Sequence, residues 1–309
     1  MRHWVRLARE TVRCEDGDGT GAMMKSILVV FHDDEAAEAA LATAVAIAGR
    51  CAGHITGFFV REPPRIVAAG EMAIPPDYVA WQDDEDERRA DHAGARFHAA
   101  IKRLGLPLDA AGPAVGAATT GPTARWREAD GLERELVAER GRVFDLIAMG
   151  RSAVPGPDRW MITCEAALFE SGRPVLLTAG APLGEVGRSI VIAWNGSTET
   201  ARTIALSMSL LETAEAVEVL SVEGGMVPGP SGCEVVTHLV QHGIHASARH
   251  VTPAKGASVG ETVLAEAKAT GTDLLIKGAY THSRFRQMIF GGATQHILSA
   301  ATLPVLLAH

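Results

Sequence analysis

Short, unbroken apolar runs recur along this chain, each followed by a polar turn and then an alanine-rich stretch. Residues 26–31 (SILVVF) and 189–194 (SIVIAW) are the clearest of them. Runs of this length, rich in β-branched residues, fit strands buried on both faces. Helices are predicted after them over 35–49 and 198–211, and second strands at about 54–60 (HITGFFV) and 216–222 (AVEVLSV). Strand and helix keep alternating as far as the proline-led segments at Pro174 and Pro304. Continuous apolar strands separated by helices specify a parallel sheet covered on both sides.

The pattern is written twice. Lys25 opens KSILVVFHDDEAAEAALATA, and Arg188, 163 residues on, opens RSIVIAWNGSTETARTIALS. DLIAMG at Asp145 matches DLLIKG at Asp273, and PVLLTA at Pro174 matches PVLLAH at Pro304. Three blocks in one order, at so long a period, mean a duplicated domain and not a solenoid. The fold class is therefore α/β, with two doubly wound, five-stranded parallel-sheet domains. Residues 1–22 read as a flexible tail, with Met23 or Met24 a candidate start, 23–183 as the first domain and 184–309 as the second. A single continuous sheet would count against the duplication. Lys25 to Asp145 spans 120 residues, whereas Arg188 to Asp273 spans 85. The first half thus holds an extra segment, placed around 61–82, where Pro63, Pro64, Pro75 and Pro76 oppose regular structure. It reads as a surface excursion; the sharper alternative is a lid or partner-binding arm carrying Tyr78 and Trp81. The DDEDERR run at 83–89 reads as the start of a solvated helix.

Composition narrows the function. The 309 residues carry a formal net charge of −8, with only two Tyr and eight Phe, which argues against general nucleic-acid binding. Cys14, Cys51, Cys164 and Cys233 form no CxxC pair, so a reducing, cytoplasmic setting is expected and a thiolate metal site is not. No run of 18 apolar residues predicts a membrane span.

In an open α/β sheet, ligands bind beyond the carboxyl ends of the central strands, where strand order reverses. In the second half these exits are Ala193-Trp194-Asn195-Gly196 and Lys277-Gly278, the latter leading through Thr281 and His282 to Gly291-Gly292-Ala293-Thr294 at a helix start. A Gly-Gly turn opening a helix offers backbone N–H groups to an anion, with Lys277, Arg284 and Arg286 as nearby cations. The alternative is a tight turn with no ligand. In the first half the matching loop begins at Gly150 and contains Pro155 and Pro157, no Gly-Gly opens the next helix, and His32 and Asp33 replace Asn195 and Gly196. That half reads as a degenerate structural partner.

The segment DLLIKGAYTHSRFRQMIFGGATQHILSAATLPVLLAH resembles the C-terminal signature of the universal stress protein family, and the repeat resembles a tandem member over most of residues 25–309. The resemblance implies an adenine nucleotide alpha hydrolase-like fold and a stress-response module binding ATP or a related adenine nucleotide, with Mg accompanying it. It implies at most slow hydrolysis. Gly278 matches the first signature glycine and Gly291 the third, while Thr281 and Gly292 depart from the pattern and Thr294 supplies a hydroxyl nearby. The adenine-side positions fall at Asn195 and Val222, and Lys277 precedes the first glycine. The resemblance also implies an intrachain pseudo-dimer in which the final strands, 174–178 and 304–308, pair or approach, with a whole-chain homodimer as a further possibility and an unknown protein as partner.

Other constellations compete. Gly256-Ala257-Ser258-Val259-Gly260 matches GxSxG, with Asp273 and His282 following in hydrolase order; a serine hydrolase using Ser258 is the minor alternative. His238 and His242, one helical turn apart near His245 and His250, read as surface histidines before metal ligands. A nucleotide-free interaction module is the main alternative to nucleotide binding.

Overall fold

This computed structural model describes residues 24–62, 76–109, 121–151, 159–180, 184–279 and 292–309, leaving aside the side chains of 76–83 and 159. The first half runs β1 (Ser26–Val30), α1 (Glu35–Gly49), β2 (His54–Arg61), α2 (Pro76–Arg103), β3 (Thr123–Asp130), α3 (Glu133–Gly141), β4 (Leu146–Gly150), α4 (Arg159–Glu170) and β5 (Val175–Thr178). The second runs β6 (Ser189–Ala193), α5 (Thr198–Leu206), α6 (Met208–Leu211), β7 (Ala216–Val222), α7 (Gly232–Gln241), β8 (Ala246–Val251), α8 (Val259–Ala269), β9 (Leu274–Gly278), α9 (Ala293–Ala300) and β10 (Val305–Ala308). The expected tail at 1–22 lies outside the described residues, and the boundary expected at 183/184 falls at the edge of another such stretch.

Each half orders its strands alike, β3-β2-β1-β4-β5 and β8-β7-β6-β9-β10, with parallel pairing throughout. The halves are not two separate sheets, however. β5 and β10 pair antiparallel and fuse them into one ten-stranded sheet. This continuity does not undo the duplication, because the internal order is copied intact and the antiparallel step sits at the joint. There Leu306 faces Leu176, its own counterpart in the PVLL blocks. A twofold relation between copies requires such self-pairing. Leu176 and Leu306 point into one core, and Val175, Leu177, Val305 and Leu307 into the core on the opposite face, the period-2 alternation of a strand.

Two arginines tie the halves further. Arg50, at the C-terminus of α1, donates to the carbonyls of Val186 and Gly187 at 2.9 Å each and to the Thr213 carbonyl at 2.6 Å, and also bonds the Thr213 hydroxyl. Arg151 donates to the Leu298 and Ser299 carbonyls at 3.1 and 2.6 Å, at the negative end of α9.

Two expectations change. The helix predicted over 198–211 breaks into α5 and α6 at Ser207, whose hydroxyl bonds back to the Thr203 carbonyl. Such back-bonding competes with the helical ladder. The acidic run 83–89 is not a helix start, because α2 already begins at Pro76. Proline suits a first turn, where its missing N–H has no helical acceptor. Tyr78 and Trp81 lie on this helix, and residues 63–75 of the expected arm are outside the described residues.

Candidate functional site

The crevice predicted in the second half lies where β6 and β9 end side by side. Ala193, Trp194, Asn195, Val222, Lys277 and Ala293 line one small cavity there of about 50 Å³, room for a few waters. Leu220, Gly225, Val259, Val263 and Ile297 complete the wall. Sequence reasoning missed these five. The signal was the i, i+4 apolar spacing of Val259 and Val263, which marks the buried stripe of α8.

Lys277 is the chemical centre. It is 8% exposed, and its Nζ donates to the Thr294 Oγ1 at 2.7 Å and to the Gly278 carbonyl at 2.8 Å. Both partners are neutral. Burial pulls its pKa down to about 8, a shift that the Glu199 carboxylate partly opposes. Glu199 Oε2 is itself buried without a hydrogen-bond partner. Thr294 is in the first turn of α9, whose cap Gly292 makes no side-chain cap bond, so the helix's positive end adds to the ammonium. Gly292 has φ −74°, a conformation open to any residue.

Asn195 and Trp194 serve the framework as well. Asn195 Oδ1 accepts from the Thr200 hydroxyl at 2.7 Å and from Ser197 N at 3.2 Å. Trp194 donates its indole N–H to the Pro230 carbonyl at 2.8 Å. Gly196 holds φ +85°, and a Cβ there would lie 2.6 Å from the Val227 carbonyl oxygen; the chain after β7 folds back that closely onto the turn. Gly278 is required by packing: a Cβ would lie 2.4 Å from Thr200 N. Gly150 is held likewise against Ala36 O at 2.2 Å, so this glycine belongs to the fold in both halves. Thr281, His282, Gly291, Arg284 and Arg286 lie outside the described residues.

The matching crevice of the first half has opposite chemistry. Met149 stands where Lys277 stands, from the parallel registers of β1–β4 and β6–β9. Glu133, 3% exposed at the head of α3, meets the Nε2 of His32, the counterpart of Asn195, at 2.6 Å and accepts from the Thr163 hydroxyl at 2.8 Å. Its backbone N–H donates to Glu62 at 3.1 Å.

The competing constellations resolve locally. Ser258 caps α8 in a capping box: its Oγ accepts from Glu261 N at 3.2 Å while Ser258 N donates to Glu261 at 2.7 Å. Asp273 accepts from the backbone N–H groups of Gly187, Arg188 and Ser189, a strand-anchoring role that Asp145 repeats at Lys25 and Ser26. The His238 and His242 rings are 4.9 Å apart. Among the described residues no three His, Cys, Asp or Glu are grouped to hold a metal ion, and no helix is long and apolar enough to cross a membrane.

No protein-family model matches the sequence, and no curated protein matches it. Among solved structures, the chain is similar to a universal stress protein from Archaeoglobus fulgidus DSM 4304, with a TM-score of 0.66 and 14% identity over 92% of this chain and 95% of that one. A universal stress protein from Lactobacillus plantarum matches 51% of this chain with 99% of its own, at 17% identity and TM-score 0.37. A universal stress protein family member from Burkholderia pseudomallei matches 51% with 98% of its own, at 23% identity and TM-score 0.31. The argument for the fold rests on the Archaeoglobus match, which spans nearly the whole of both chains. The chain thus has the universal stress protein fold, an adenine nucleotide alpha hydrolase-like α/β architecture written twice.

Proposed function

We propose that this chain acts as a tandem universal stress protein, a cytoplasmic stress-response module whose second half binds ATP or a related adenine nucleotide and whose first half is a structural partner. The observation that carries the reading is Lys277: a buried ammonium at the head of α9, with hydroxyl and carbonyl partners but no carboxylate among the described residues within ion-pair distance. A buried cation without a counter-charge is costly, and a phosphate would supply one. The nucleotide's phosphates would meet Lys277, Thr294 and the N–H groups of Ala293 and Thr294, and its base the side of Asn195 and Val222. Mg²⁺, bound with the nucleotide, would neutralise phosphate charge. In the first half the buried Glu133 repels phosphate, which supports a structural role there. Any hydrolysis is slow in this reading.

A nucleotide-free interaction module is the second reading, favoured by the cavity's size: about 50 Å³ is below what an adenosine fills. Nucleotide binding therefore requires the crevice to widen. Calorimetric titration of the full chain with ATP separates the two. Binding that weakens at least tenfold in Lys277→Met, the residue of the first half, supports the nucleotide reading. No heat at millimolar ATP, or equal affinity in the variant, selects the second.

A further inference from the structure

A larger cavity than the Lys277 crevice lies elsewhere. It measures about 760 Å³ and lies in the first half, over the β1–β2–β3 sheet face at the amino ends of the strands and beside the C-terminus of α3. Lys25, Arg125, Arg127 and Arg140 line it. None of the four makes an ion pair among the described residues. Arg125 donates to the Thr56 hydroxyl at 3.0 Å, and Arg140 lies over the Phe58 ring at 5.7 Å. Burial and the charge of Arg127 depress the Arg125 pKa, while the Asp109 carboxylate, near Arg125 but not in the ion-pair geometry of Glu218 or Glu266 in the second half, partly opposes them. The lining carboxylate, Glu128, is already bound to Arg61 and Trp126.

The second half shows what this face looks like when it is neutralised. The strand registers place Arg127 with Arg249, Thr56 with Glu218 and Arg125 with Ser247. Ala138 and Glu266 correspond too, each seven residues before the matched aspartates Asp145 and Asp273. In the second half Arg249 is paired with both Glu218 and Glu266. The first half has lost both acids and gained an arginine, within a chain of net charge −8. Unpaired arginines converging on a ligand-sized concavity focus positive potential and present forks that match phosphate oxygens. Phe58, Phe144 and Val143 add an apolar wall.

We propose that this pocket is a second ligand site, separate from the Lys277 crevice, and that it takes a small organic polyanion, a phosphorylated metabolite with an apolar body. Inorganic pyrophosphate, titrated into the full chain, is the probe. With the Lys277 crevice disabled by Lys277→Met, the chain should still bind it, with affinity falling as salt rises. In that Lys277→Met background, Arg125→Ser/Arg140→Gln should weaken it at least tenfold. In the wild-type chain, pyrophosphate should also protect Arg125 and Arg127 from phenylglyoxal, read by mass spectrometry, a result independent of how well the double variant folds. Undiminished binding in a folded double variant, loss in Lys277→Met instead, absence of protection, or no binding at millimolar pyrophosphate would each overturn the proposal.

Discussion

Lys277 shows how one residue's surroundings set a measurable property. Its ammonium faces the Thr294 hydroxyl from α9, the Gly278 carbonyl from its own strand and, at longer range, the Glu199 carboxylate from α5. With a pKa near 8 in the free protein, it is charged at pH 7 and largely neutral at pH 9. A bound phosphate favours the charged form, so binding takes up a proton above pH 8, and affinity falls as pH rises. ATP is expected to bind about tenfold more weakly at pH 9 than at pH 7, and Lys277→Met should abolish the dependence; calorimetry at the two values checks both. Gly278 makes a different point. The chain reads there as a signature glycine, yet its neighbour across the contact is the backbone of α5 and not a ligand position. Backbone cannot swing aside as a side-chain tip can. Gly278→Ala should therefore cost about 3 kcal/mol, the scale of overpacking, and Gly150→Ala a similar amount in the half read as having no nucleotide site. Chemical denaturation of the two variants measures this. A loss confined to Gly278→Ala would tie the glycine to the ligand instead.

At the scale of elements, the boundaries were legible where a local signal coincided with the tertiary demand. α1 at Glu35–Gly49 begins and ends as the sequence predicts, and α8 begins at Val259 directly after Ser258; Asp34 and Ser258 accept from the first-turn N–H groups in positions that favour short polar side chains. The GxSxG match misled for the same reason: a serine before a helix with glutamate three residues on is equally a capping box. Ser258→Ala should cost about 1 kcal/mol of stability and leave labelling by a fluorophosphonate at background in both proteins; a labelled wild type that loses its label in the variant would restore the hydrolase reading. The break between α5 and α6 was not legible, since alanine-rich periodicity continues through Ser207 and the interruption is a side-chain bond to Thr203. Nor was the cationic pocket, which depends on three strands and a helix terminus brought together from 25 to 144. Spacing along the chain carries no trace of which arginines lack an acid until the registers of both halves are known.

The whole molecule is more unified than a repeat read from sequence suggests. Pattern alone disclosed two copies and the alternation of strands and helices in each, because buried parallel strands are short, apolar and regularly spaced. It left open whether the copies share a core. They do: the cluster on one sheet face runs from Met24 through Leu176 to Ile276 and Leu306, and the cluster on the other from Leu28 through Leu177 to Leu275 and Leu307. The β5–β10 joint is central in the sheet, so separating the halves would expose apolar side chains on both faces and the unpaired N–H and C=O groups of two strand edges. Arg50 adds charge-assisted bonds to three backbone carbonyls of the second half, which would be left unsatisfied by its removal. A molecule built this way should unfold in one transition. Hydrogen exchange followed through urea is expected to release β2 and β7 at the same midpoint, although they lie in different halves. Destabilising the first half through Gly150→Ala should move both midpoints together. Arg50→Ala should lower stability by about 2–4 kcal/mol, with faster exchange beginning at Ser189 and Leu306. If β7 instead kept its own midpoint while β2 melted early, the continuous sheet would be only a contact between two independent domains, and the joint would carry none of the stability assigned to it.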